Sequence, residues 1–126
     1  MDKVEPTHPV RSLNGVPVLC YSEDAPVLAR ADDVLESLIP ALYGTGVERV
    51  ALPVSRLAPE FFDLSTRVAG EMLQKLVNYR LSVAIVGDID EHVARSSALA
   101  DFVRESNRGK HVWFVPDVAS LAERLG

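Results

Sequence analysis

The run Leu81-Ser82-Val83-Ala84-Ile85-Val86 is almost wholly apolar and ends at Gly87-Asp88. A strand with one wet face alternates apolar and polar side chains, whereas a strand covered on both faces need not. The run therefore predicts a buried strand in a parallel sheet with helices against it. Just upstream, Met72, Leu73, Leu76 and Val77 recur at three- and four-residue spacing, one face of a helix. Helix, short turn and buried strand together make half of an α/β unit, and 126 residues suit one domain built around such a sheet.

The rest of the chain extends that pattern. Residues 10–13 and 16–21 flank Asn14-Gly15, a dipeptide that tolerates positive φ at both positions, which predicts a hairpin. Pro17 has no amide proton and belongs near an edge or a strand start. A helix follows residues 22–31, with Asp33 as its cap, Glu36 at capping-box spacing, and a stripe of Val34, Leu35, Leu38, Ile39 and Leu42. Pro40 should kink or shorten it, and Gly44 and Gly46 supply its left-handed stop.

A strand is expected over 47–54, and one helix from Pro59 to about Asn78, with Phe61, Leu64 and Val68 continuing the stripe. Arg67–Glu71 and Glu71–Lys75 have the spacing of ion pairs on that helix. A helix over 96–107, a strand over 112–115 and a terminal helix capped by Asp117 complete the chain. The fold class is α/β, in the order ββαβαβαβα: a mostly parallel twisted sheet led by an antiparallel hairpin. Residues 1–9, with Pro6 and Pro9, form a flexible lead-in, and 10–126 form the single domain.

Composition narrows the partners. Net charge is −5 and no basic cluster exists, which argues against nucleic acid. No apolar run approaches the roughly 20 residues that span a bilayer, and the polar N-terminus is unlike a signal peptide, so a cytoplasmic protein is expected. The lone Cys20 lies among apolar neighbours and reads as a buried, reduced thiol. His8, His92 and His111 are too far apart for a metal motif, so neither a metal nor a cofactor is expected. No Ser-His-Asp arrangement, Walker loop or dinucleotide fingerprint occurs.

The polar residues left over by packing are the candidate site. In open α/β sheets ligands gather beyond the carboxyl ends of strands, where Asp63 and Asp88 should lie. Ser65 and Thr66 follow Asp63 at a helix start. Glu71 borders the apolar stripe. Asn78 and Arg80 hold the turn before the buried strand. Glu105 and Asn107 end a helix, Asn107 in the left-handed position, and could join Asn78 and Arg80 in a polar cluster. For each of these, local hydrogen bonding or solvation competes with a functional role.

At Gly70–Asp88, at Asp101-Phe102-Val103-Arg104-Glu105-Ser106-Asn107-Arg108-Gly109 and at Phe61-Phe62-Asp63-Leu64, the chain resembles a bacterial family catalogued as domain of unknown function 4180. The likeness covers roughly residues 44–125 and implies no mechanism. The strand–helix order also resembles the STAS class, the sulphate-transporter and anti-sigma-factor-antagonist domains. That resemblance implies a serine near a helix start that a partner kinase phosphorylates, and Asp63-Leu64-Ser65-Thr66 sits in a comparable place. The usual STAS pattern has a glycine-containing turn after the serine, where Arg67 and Val68 stand here.

The resulting expectation is a non-enzymatic, STAS-like regulatory module that docks to a protein partner. The alternative is a small ligand-binding protein or enzyme whose Asp63, Asp88 and Glu105 line a pocket. A homodimer through the edge hairpin, or through a stripe of Phe61, Phe62 and Trp113, is a further possibility for the partner.

Overall fold

The structure is a computed structural model that describes residues 8–126. The expected lead-in falls, for residues 1–7, outside the described residues. His8 and Pro9 are held in place: His8 stacks on Tyr21 at 4.6 Å and the Cys20 amide donates to the Pro9 carbonyl.

Strands β1 (Val10–Leu13) and β2 (Val16–Cys20) pair antiparallel. Asn14 and Gly15 have φ of 51° and 83°, the two positive values that a type I′ turn requires. Strands β3 (Arg49–Pro53), β4 (Ser82–Val86) and β5 (Val112–Val115) add parallel to β2, giving the order β1-β2-β3-β4-β5. Pro17 precedes the part of β2 that pairs with β3, where only Leu19 and Cys20 have partners, so its missing donor is not needed.

Both faces of the sheet are covered, as the apolar run at 81–86 predicts. On one face Leu19, Val50, Leu52, Val83 and Ile85 pack with Val34 and Leu38 of helix α1 (Ala31–Leu42), Met72 and Leu76 of α2 (Val68–Asn78), and Leu99 of α4 (Ser97–Arg108). On the other, Val18, Ala51, Ala84 and Val115 pack against Leu121 of α5 (Val118–Leu125). Each fully buried leucine contributes about 2 kcal/mol through the water it leaves.

Four local expectations are corrected. First, no single helix runs from Pro59 to Asn78: two short 3-10 turns, Pro59–Phe62 and Leu64–Thr66, precede α2. Arg67, at φ 65°, is left-handed and breaks the helix there. Second, α1 begins at Ala31, and Asp33 is its third residue instead of its cap. The Asp33 carboxylate reaches back to accept from the amides of Ala29 and Arg30, at 2.8 and 3.0 Å. Third, a short helix α3 (Asp90–Arg95) occupies a stretch to which the sequence assigns no element, and Ser96 caps α4 by accepting from the Leu99 amide. Fourth, β3 spans Arg49–Pro53 only, because Val54–Arg56 turns into a 3-10 segment.

Candidate functional site

The sheet order bears directly on where a ligand could sit. Right-handed crossovers place α1, α2 and α4 on one face, and the strand order never reverses. A doubly wound sheet opens a crevice where its order reverses, and this sheet has no such point. Its carboxyl edge is a set of shallow, open depressions. One is lined by Arg11, Cys20, Tyr21, Asp24, Val86 and Asp117. Cys20 is half-buried there instead of fully buried, and burial pushes its thiol pKa up, with Arg11 opposing the shift. Asp117 caps α5 as expected: its carboxylate accepts from the Ser120 amide at 2.8 Å, which lowers its pKa.

Asp63, Ser65 and Thr66 share one exposed turn at this edge. Asp63 Oδ1 accepts from both the Ser65 amide, at 3.1 Å, and the Ser65 hydroxyl, at 2.7 Å. The Thr66 hydroxyl donates toward the carbonyls of Glu60 and Asp63 and accepts from the Val68 amide at 3.2 Å. Thr66 therefore ties the 3-10 turns to the first residue of α2, whereas the Ser65 hydroxyl, among the described residues, bonds only to Asp63. Asp88 follows β4 and accepts from the Asp90 amide at 2.9 Å, a local turn that leads into α3.

Glu71 lies exposed in the first turn of α2, beside a depression it shares with Arg30, Asp32, Lys75 and Asn78. Neither expected ion pair of Glu71 forms among the described residues. Arg67 has left the helix, and Lys75 instead approaches Asp32 of α1 at 4.0 Å. Asp32 is largely exposed and Lys75 partly so, and at this distance the pair contributes little.

Asn78 and Arg80 sit at the opposite, amino edge of the sheet, since α2 runs back from the carboxyl edge before β4 begins. Asn78 accepts from Gln74 at 2.9 Å. Arg80 is left-handed at φ 63°, and its amide and that of Leu81 donate to the carbonyls of Val77 and Leu76. That pair of bonds is a Schellman motif with arginine where glycine is usual.

Glu105 lies eight residues past the start of α4, about 12 Å along its axis toward the amino edge. It pairs with Arg108 at 3.3 Å on the surface, and the depression beside Asp88 is lined by neither Glu105 nor Asp63. Asn107 is helical, contrary to the left-handed reading. Its side chain accepts the Phe114 amide at 2.7 Å, binding α4 to the edge strand β5. No hydrogen bond joins Glu105 or Asn107 to Asn78 or Arg80 among the described residues, so the expected polar cluster divides.

The expected exposed stripe of Phe61, Phe62 and Trp113 is also corrected. Phe61 and Phe62 are buried, and Phe62 stacks on His92 of α3 at 4.1 Å. Trp113 is half-buried, with its indole N–H donated to the Gly109 carbonyl. Arg49 and Arg124 stand far apart in the sequence. Only the pairing of β3, β4 and β5 and the return of α5 bring both over Trp113. No spacing in the chain signals that convergence.

Among the described residues, no three His, Cys, Asp or Glu side chains gather as metal ligands, and no helix is long and apolar enough to cross a membrane. A family model described as domain of unknown function (DUF4180) matches residues 13–125. No curated protein and no solved structure matches the chain.

Proposed function

The chain belongs to the DUF4180 family, and we propose that it acts as a regulatory, protein-docking module of STAS-like type whose working edge is the turn from Asp63 to Arg67. The observation that carries this reading is the clamp between the Ser65 hydroxyl and the Asp63 carboxylate, 2.7 Å long and exposed. Transfer of the terminal phosphoryl group of a nucleoside triphosphate to Ser65 Oγ by a partner kinase, which releases the nucleoside diphosphate and takes up the hydroxyl proton, would remove the donor of that clamp. It would also set about two negative charges beside the Asp63 carboxylate. Repulsion would then open the turn just ahead of α2 and change the surface a partner meets.

Arg67 supports the STAS-like reading in one respect. A glycine-containing turn follows the serine in that class, and here Arg67 adopts the left-handed conformation that glycine ordinarily supplies.

Affinity capture with the wild-type chain, Ser65→Ala and Ser65→Asp tests the proposal. A protein partner other than a second copy should be recovered by wild type and lost or weakened with Ser65→Asp. Thr66→Ala serves as the control for a turn loosened without added charge. Recovery of the chain alone, or of the same partners at the same level by all variants, would sink the proposal.

A further inference from the structure

Resting on the docking half of the reading above, we propose that the groove between α3, α4 and the carboxyl end of β5 takes an apolar, positively charged segment of a partner protein. The groove spans about 620 Å³. Buried Phe114 lines it, together with Ile89, Val93 and Val103, which stay partly open to solvent. Asp88 and Asp90, both exposed, are its charged lining residues, and no cation lines it among the described residues. Two other wide depressions differ in this respect: Arg30 and Lys75 line the one beside Glu71, and Arg11 lines the one beside Cys20.

Neither carboxylate has a cationic group within 4.0 Å among the described residues. Asp88 accepts from the Asp90 amide, and the Asp90 carboxylate accepts no hydrogen bond among the described residues, so acceptor oxygens stay free at the groove. An incoming Lys or Arg would donate charge-assisted hydrogen bonds to them, while its apolar neighbours take the exposed parts of Ile89, Val93 and Val103 out of water. The open mouth suits a polypeptide better than a small molecule, most of whose surface a binding site must cover. A second copy carries the same net charge of −5 and would meet the two aspartates with repulsion. Continuity with the Ser65 turn points to the same partner. Phe62, next to Asp63, stacks on His92 of α3 at 4.1 Å, and Val93 of that helix lines the groove. Helix α3 thus touches both the turn and the groove.

The isotope-labelled full chain would be titrated with a short amphipathic peptide of Leu and Lys, with the same peptide carrying Ser for Leu, and with one carrying Glu for Lys. The expected result is a saturable shift of the Val93, Val103 and Phe114 amide signals with the Leu–Lys peptide only. Affinity should fall about fivefold when Asp88→Asn and Asp90→Asn are combined, a change that keeps the acceptor for the Asp90 amide. Combining Glu23→Gln with Asp24→Asn changes net charge equally beside Cys20 and should leave binding as it is. Val103→Lys should abolish binding, and the paired Asn variant keeps the test decisive should Val103→Lys fail to fold. No saturable shift, equal binding of the Ser peptide, or an equal fall in both paired variants overturns the proposal. Self-association that Val103→Lys abolishes would make a second copy the occupant and overturn the partner segment. The titration leaves Ser65 untouched, so its failure strikes the groove alone, and failure of the Ser65 variants strikes the switch alone.

Discussion

Gly87 and Val54 approach so closely that no side chain fits between them: a Cβ on Gly87 would lie 2.8 Å from Val54 Cγ2. Gly87 ends β4 with φ 143°, a conformation that L side chains rarely adopt, and its amide donates to the Val115 carbonyl. Val54 opens the 3-10 segment after β3. Their contact sets how tightly the carboxyl ends of three strands can close, so Gly87 is there for space as well as for φ.

Gly87→Ala should therefore destabilise the chain by about 2–4 kcal/mol, combining backbone strain with overpacking. Urea denaturation would show the midpoint falling. Adding Val54→Ala removes Cγ2 but keeps Val54 Cβ, 2.9 Å from the new Cβ, so it should recover only part of the packing share and none of the backbone share. Equal stabilities of Gly87→Ala and wild type would mean that the Val54 contact is not limiting.

Arg80 presents the reverse case. It occupies a left-handed position with its side chain exposed, so nothing in the surrounding packing requires arginine. Arg80→Gly removes the steric cost of that conformation, partly offset by the added freedom of the unfolded chain. A net gain of about 0.5–1 kcal/mol is expected in thermal or urea unfolding. A loss would show that Arg80 makes a contact worth more than its strain.

The two arginines also show why the sequence is legible in some places and not in others. Apolar periodicity is an additive signal, so the buried strand at 82–86, the α1 stripe and the Asn14-Gly15 hairpin are all readable from the chain. The 3-10 segments before α2 are not, because Phe61, Leu64 and Val68 keep a helical spacing while Arg67, at φ 65°, breaks the backbone between them. A non-glycine left-handed residue carries no compositional mark. Asp63 and Asp88 are legible as turn residues at the carboxyl edge. That Asp63, Asp88 and Glu105 do not line one depression is not legible, because spacing along a chain says nothing of which sheet edge a helix end reaches.

The N-terminal segment should be sensitive to pH. His8 stacks on Tyr21, and its Nδ1 accepts the Ser22 amide at 3.0 Å, which requires an unprotonated nitrogen. Burial lowers the His8 pKa below its ordinary 6.5. The folded chain thus binds a proton less readily than the unfolded one, so its contribution is complete above about pH 6.5 and declines as pH falls below that value. Stability followed from pH 7.5 to pH 5 should show a component that His8→Gln removes. An identical pH profile in that variant would dissociate His8 from the effect.

Asn107 offers the sharpest test of how α4 holds the sheet. β5 is an edge strand, and the amide of its buried Phe114 is taken by Asn107 Oδ1 at 2.7 Å. Asn107→Leu keeps the approximate volume and removes the acceptor, leaving a backbone donor without a partner in a part-buried place, at a cost of about 1–3 kcal/mol. Asn107→Asp retains an acceptor oxygen in the same position and should keep most of the stability at neutral pH. Hydrogen exchange distinguishes the two: the Phe114 amide should exchange faster in Asn107→Leu than in Asn107→Asp. If both variants lost the same stability and exposed Phe114 equally, size at position 107 would account for the effect, and the side-chain bond would not be what closes the edge of the sheet.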